Sequence, residues 1–182
     1  MNKTPVNKPA LPNMLLIAGN GRNVGKTTLA CKIISHLSKL SEVIGLKISP
    51  HFHSYSNEEV VLESNKFVIL EERKNTSKDS SLMLQAGARR VFYVMVKQEH
   101  LEEALVQLIL LLPDTAIVCE SGGLHEFVLP GLFLFVNFTD RDIIKKHLLA
   151  YQPKMIINNG KSFDLNIENI TYTNKRITWE DE

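Results

Sequence analysis

Ten residues carry the densest chemistry in the chain: Gly19-Asn20-Gly21-Arg22-Asn23-Val24-Gly25-Lys26-Thr27-Thr28. Glycines let a backbone turn sharply and bring its N–H groups against an anion. A lysine at the end of such a turn reaches terminal phosphate oxygens, and the hydroxyl beside it can ligate magnesium. Gly19, Gly21, Arg22, Asn23, Val24, Gly25, Lys26, Thr27 and Thr28 are therefore candidate contacts of a nucleoside triphosphate, ATP or GTP. Lys26 is also the candidate catalytic cation, and Thr27 the candidate Mg2+ ligand. The spacing departs from the usual one. Asn20 stands where a glycine is expected five residues before Gly25, and Gly19 lies one position further back, giving Gly-x5-Gly-Lys-Thr.

Four other groups could join this chemistry. Glu120 follows the apolar run Thr115–Cys119 and precedes Ser121-Gly122-Gly123. It would hold magnesium opposite Thr27, or else be a solvated strand end. Lys47 interrupts the apolar Leu46-Lys47-Ile48; it would stabilise charge on a transferring phosphoryl group, or simply reach water. His51 and His53 flank Phe52, and alternate residues of an extended segment point the same way. Without a third ligand they are weak evidence for zinc. Asn158, after Lys154–Ile157, sits where an amide could read a purine edge, or could serve a local Asn-Asn-Gly turn.

The elements needed to position these residues are legible. Met14–Ala18 is a short apolar run of buried-strand type, and Leu29, Ala30, Ile33, Ile34, Leu37 and Leu40 recur at helical spacing after the loop. Strand, glycine loop and helix thus occur in P-loop order. Further strands are predicted over 42–48, 66–72, 90–96, 115–119, 132–136 and 154–157, and helices over 79–88 and 99–112. Asp79 or Ser80 is expected near the cap of the first of these helices. Residues 54–64 read as a loop with a short helix, and 140–151 as an amphipathic segment through Ile143, Ile144, His147, Leu148 and Tyr151. A hairpin is expected around Thr173-Asn174-Lys175. Alternation of strands and helices predicts an α/β fold, a mostly parallel sheet with helices on both faces. In such folds ligands bind beyond the carboxyl ends of the strands. Those ends bring Gly19–Lys26, Lys47–His53, Glu120–Gly123, Asn137 and Asn158-Asn159 to one edge.

Composition sets wider bounds. The 182 residues suit one domain, expected over 14–182 after a polar, disordered lead-in over 1–13 bearing Pro5, Pro9 and Pro12. Hydrophobic content of 44%, charged content of 23% and a net charge of +1 fit an ordinary globular chain and predict no nucleic-acid or membrane partner. Cys31 and Cys119 are scattered and read as buried thiols in a reducing, cytoplasmic setting.

In order and type, four segments resemble the MobB family of molybdopterin-guanine dinucleotide biosynthesis proteins, P-loop nucleoside triphosphate hydrolases. They are the loop 19–28, Gly45-Leu46-Lys47-Ile48-Ser49-Pro50-His51-Phe52-His53, Asp79-Ser80 with Gln85-Ala86-Gly87-Ala88, and Glu120 after its strand. The resemblance spans about residues 14 to 124. It implies that Lys47, Asp79 and Glu120 are site residues, with Asp79 joining Thr27 and Glu120 at the metal. It also implies slow Mg2+-dependent hydrolysis, GTP binding, a homodimer and a nucleotidyltransferase partner in molybdenum-cofactor biosynthesis. Ser121-Gly122-Gly123 departs from the family's Gly-Phe/Tyr-Lys, and the chain from about Leu132 carries no match. The long loop is also similar to that of dethiobiotin synthetase, which implies an alternative: an ATP-dependent synthetase or kinase acting on a small acid. A non-catalytic nucleotide-binding module is a third reading.

Overall fold

Alternation along the first strand sets the layers. The computed structural model describes residues 8–56, 59–139 and 146–180. Strand β1 (Ala10–Gly19) sends Met14, Leu16 and Ala18 into one core and Leu15 and Ile17 into the other. Helix α1 (Lys26–Leu37) follows the loop, then β2 (Val43–Ser49), β3 (Val60–Glu63), β4 (Phe67–Glu71), α2 (Asp79–Gln85), β5 (Arg90–Val96), α3 (Leu101–Leu111) and β6 (Ala116–Glu120). The chain continues through β7 (Leu129–Phe138), β8 (Lys154–Asn158), β9 (Ile170–Thr173) and β10 (Arg176–Trp179). Eight strands form one sheet in the order β3-β4-β5-β2-β6-β1-β7-β8. From β5 to β8 every pairing is parallel; β4 and β3 add an antiparallel edge.

Both faces of the sheet are covered, as expected of parallel strands. Leu29, Ile33, Ile34 and Leu37 of α1 and Met83 of α2 pack against Leu15 and Ile17. Leu101, Ala104, Leu105 and Leu108 of α3 pack against Met14 and Leu16. Each fully buried leucine or isoleucine contributes roughly 1.5–3 kcal/mol. Helix α1 has Gly25 at its N-cap and no side-chain cap, so this burial, rather than capping, holds it in place. The hairpin β9–β10 lies on the α1 face through Ile170 and Ile177. Its turn residues Asn174 and Lys175 have φ of 50° and 58°, the twist that two-residue hairpins favour.

Four expectations change. Strand β1 starts at Ala10, so residues 10–13 belong to the sheet rather than to a lead-in; the Asn13 amide donates to the Thr115 carbonyl at 2.7 Å. Residues 1–7 of that lead-in lie outside the described residues. Within 54–64 a strand, β3, pairs with β4. Helix α2 ends at Gln85 rather than 88, because Gly87 at φ 109° breaks the helical path; Asp79 stands beside its N-cap, Lys78, as expected. In the amphipathic segment 140–151, residues 140–145 lie outside the described residues, and Lys146–Tyr151 is a 3-10 helix with Leu148 in the α3-side core.

Candidate functional site

Strands β1, β2 and β6 end at one edge, where a cleft of about 1480 Å³ opens. The glycine loop, Lys47, Glu120, the start of α2 and the segment after β2 line it. Two glycines are needed for the shape of the loop. A Cβ on Gly19 would stand 2.9 Å from the Val136 carbonyl oxygen; one on Gly25, already at φ 93°, would stand 2.5 Å from the Asn158 amide nitrogen. Asn23 also takes a left-handed conformation, at φ 56°. The first turn of α1 carries no acidic side chain, leaving its positive end available to an anion.

The loop is braced from behind. Buried Asn20 accepts from the Phe138 N–H at 3.2 Å and donates its side-chain amide to Asn137. Thus the asparagine standing in a glycine's place ties the loop to β7. Asn158 is a correction: it does not face the cleft. It is buried, donates to the Val24 carbonyl at 2.8 Å and accepts from the Gly160 N–H at 2.9 Å. Its amide holds the loop, and Asn158 is not among the residues that line the cleft. Val24 turns its side chain into the core, leaving its backbone to the loop. Gly21, Arg22, Asn23, Lys26, Thr27 and Thr28 line the cleft.

Ahead of the loop stands an ordered set of charges. Lys26 Nζ donates to the Gly21 carbonyl at 2.5 Å, which bends the side chain back over its own loop. Thr27 Oγ1 donates to Glu120 Oε2 at 2.7 Å. The other Glu120 oxygen is 2.6 Å from Lys47 Nζ, which also lies 2.8 Å from Asp79 Oδ2. Burial pulls the Lys47 pKa down, but the charge of Glu120 and the hydrogen bonds to Asp79 and Glu120 outweigh it, and the net direction is upward. Lys47 is therefore charged at neutral pH. Burial, with Glu120 and Asp79 adding to it, pushes the Cys31 thiol up to about 11, and Cys119 is raised for the same first reason. Neither thiol is a nucleophile at neutral pH.

A hydroxyl and a carboxylate 2.7 Å apart form a hard-oxygen pair that suits Mg2+, which takes few protein ligands and keeps water and phosphate oxygens for the rest. Thr27 and Glu120 fit that group. Asp79 meets the Lys47 ammonium at 2.8 Å, and the same ammonium meets the other Glu120 oxygen at 2.6 Å. Among the described residues no three His, Cys, Asp or Glu side chains converge as a metal centre. His51 and His53 diverge: the first meets the Arg22 guanidinium, and the second stacks on Tyr93 with ring centroids 5.2 Å apart.

Sequence reasoning missed three features: the Asn20 brace, the Arg22–His51 contact and the Tyr93 face. All three depend on which strands are neighbours, and no local pattern carries that. Lys47 pairs in register with Glu120 on one side and Tyr93 on the other. Only the strand order β5-β2-β6 makes those residues a row.

Comparison of the chain with protein-family models, curated proteins and solved structures gives no match. Fold and site together define a mostly parallel α/β protein with a glycine loop and a charged cleft at its strand ends.

Proposed function

We propose that the protein is a P-loop nucleoside triphosphatase that binds Mg2+ with GTP or ATP and hydrolyses it slowly, as an accessory to a nucleotidyltransferase in molybdenum-cofactor biosynthesis. The observation that carries the nucleotide reading is the convergence of the loop, Lys26 and the Thr27–Glu120 pair at 2.7 Å on one strand edge. The biosynthetic role rests on the resemblance of the loop, the Lys47 segment, the Asp79 helix and Glu120 to the MobB family.

Phosphoryl transfer needs mainly positioning and charge stabilisation. Loop amides and the positive end of α1 receive the phosphates, and Lys26 leaves the Gly21 carbonyl for a terminal oxygen. Thr27 and Glu120 would hold Mg2+, which when bound would supply neutralising charge to the phosphate oxygens. Lys47, held charged by two carboxylates and lining the same cleft, would stabilise charge that develops on the transferring group. Glu120 is engaged by Thr27 and Lys47, and His51 by Arg22. Neither is placed as a free base for water, so turnover is slow.

The test is phosphate release and calorimetry on Lys26→Ala and Lys47→Ala. Lys26→Ala should lose nucleotide binding. Lys47→Ala should lower kcat about a hundredfold, as removal of one transition-state donor does, with a smaller effect on affinity. Nucleotide affinity unchanged in Lys26→Ala would remove the reading.

A further inference from the structure

Lys26 marks the end of the loop where a terminal phosphate would lie. Its ammonium rests on the Gly21 carbonyl. The next residue at that end is Arg22, between Gly21 and the left-handed Asn23. Arg22 lines the cleft, and one guanidinium nitrogen meets Nε2 of His51, which lines it too. His51 stands just beyond β2, and its backbone N–H donates to Ser49 Oγ at 3.2 Å.

The sheet order gives this contact its direction. Strand β6 lies between β1 and β2, and neighbouring strands are about 4.8 Å apart. A side chain that reaches from the β1 loop to the segment after β2 therefore crosses a gap of about 10 Å beyond the carboxyl end of β6. Glu120 ends that strand, and Thr27 and Lys47 converge on it at 2.7 and 2.6 Å. A guanidinium only donates hydrogen bonds, so His51 Nε2 is the unprotonated, accepting nitrogen. That contact aims the guanidinium without cancelling its charge, whereas Lys47 faces two carboxylates. The planar fork carries several N–H groups, so one can rest on His51 while others meet phosphate oxygens.

We propose that Arg22 is a catalytic residue of the hydrolysis, an arginine supplied by the loop itself that stabilises charge on the transferring phosphoryl group, and that His51 is its positioning residue. The proposal rests on the nucleotide reading and adds a third cation to Lys26 and Lys47. Water bonds to the terminal phosphorus as the bond from that phosphorus to the bridging oxygen breaks. The products are the diphosphate, inorganic phosphate and a proton released to solvent. Arg22 donates to the phosphate oxygens and exchanges no proton, in keeping with slow turnover where no base activates water.

The probes are Mg2+ with a non-hydrolysable analogue of ATP or GTP, and Mg2+ with the matching diphosphate and aluminium fluoride, which imitates the transferring group. Arg22→Ala should lower kcat about a hundredfold or more, while affinity for the analogue changes less than about fivefold. Aluminium fluoride should tighten diphosphate binding to the wild type, as a transition-state mimic does, and not to Arg22→Ala. Arg22→Lys should recover only part of the rate, because an ammonium carries the charge without the fork. His51→Ala should lower kcat about tenfold through misplacement of the guanidinium, and His51→Gln, whose side-chain carbonyl still accepts, should lie nearer the wild type. Adding His51→Ala to Arg22→Ala should cost nothing further; an equal loss in both backgrounds would remove the positioning role. Absence of analogue binding to the wild type would overturn the nucleotide reading and this one with it. Analogue binding with kcat of Arg22→Ala within about twofold of the wild type, or aluminium fluoride acting equally on both proteins, would overturn this proposal alone.

Discussion

Lys47 governs the electrostatics of the cleft because its ammonium is shared. It sits 2.6 Å from Glu120 and 2.8 Å from Asp79, and the Glu120 side chain is only 4% exposed against 48% for Asp79. The Glu120 contact is therefore the stronger of the two, and the Asp79 contact is weakened by solvent. Lys47→Ala leaves a buried carboxylate facing Thr27 without its cation, so the variant should also melt at a lower temperature than wild type. Lys47→Arg, which keeps the charge, should recover stability better than activity, since a forked guanidinium presents its charge differently. Asn158 belongs to the same scale. Asn158→Ala leaves the buried Val24 carbonyl without a donor and should cost about 1–3 kcal/mol in denaturant unfolding. The ratio of GTP to ATP affinity should not change, because the amide faces away from the cleft; a changed ratio would return Asn158 to the base-reading role.

At the scale of elements, the loop is held by backbone geometry as much as by side chains. Gly25→Ala would place a methyl group 2.5 Å from the Asn158 amide at a φ of 93°. It should destabilise the fold by about 1–3 kcal/mol and impair nucleotide binding. On the antiparallel edge, Arg90 grips Glu71 with two hydrogen bonds, at 2.6 and 3.0 Å. The Glu71 pKa is lowered by them against the opposing effect of burial. The folded state thus binds its proton less readily than the unfolded chain does. The stabilisation is present above the ordinary value of 4.5 and is lost as pH falls below it toward the folded pKa. Glu71→Gln should lower the melting temperature at neutral pH and flatten the acid limb of the stability curve; an unchanged acid limb would count against the pairing.

Elements with strong periodicity were readable before any coordinates. The strand Arg90–Val96 has the predicted bounds, and the run Leu29 to Leu37 is the buried stripe of α1. Strand β3 was not readable, since Val60, Val61 and Leu62 stand in polar surroundings and gain strand character only by pairing with β4. The 3-10 helix at 146–151 was hidden for a related reason: amphipathic spacing fits one turn of either helix type. At the site, residue types gave Lys26, Thr27 and Glu120, and the structure brings the last two into contact. Asn20 and Asn158 were misplaced or unassigned because bracing from β7 and from the residue ending β8 is a long-range relation.

For the whole molecule, the sheet order puts β1 between β6 and β7, so the loop is flanked on one side by Glu120 and on the other by the Asn137–Phe138 brace. One flank supplies chemistry and the other rigidity. No helix among the described residues is long and apolar enough to cross a membrane. A ligand that binds only the folded state raises its melting temperature by mass action, about 2.7 kcal/mol of stability at a hundredfold excess over Kd. Mg2+ with GTP or ATP should therefore raise the melting temperature of the wild type. The most direct measurement is calorimetric titration of Mg2+ and each triphosphate into wild type and Lys26→Ala. Saturable binding to the wild type, lost in the variant, is the result predicted; no heat with either protein, or equal affinity for both, contradicts the account.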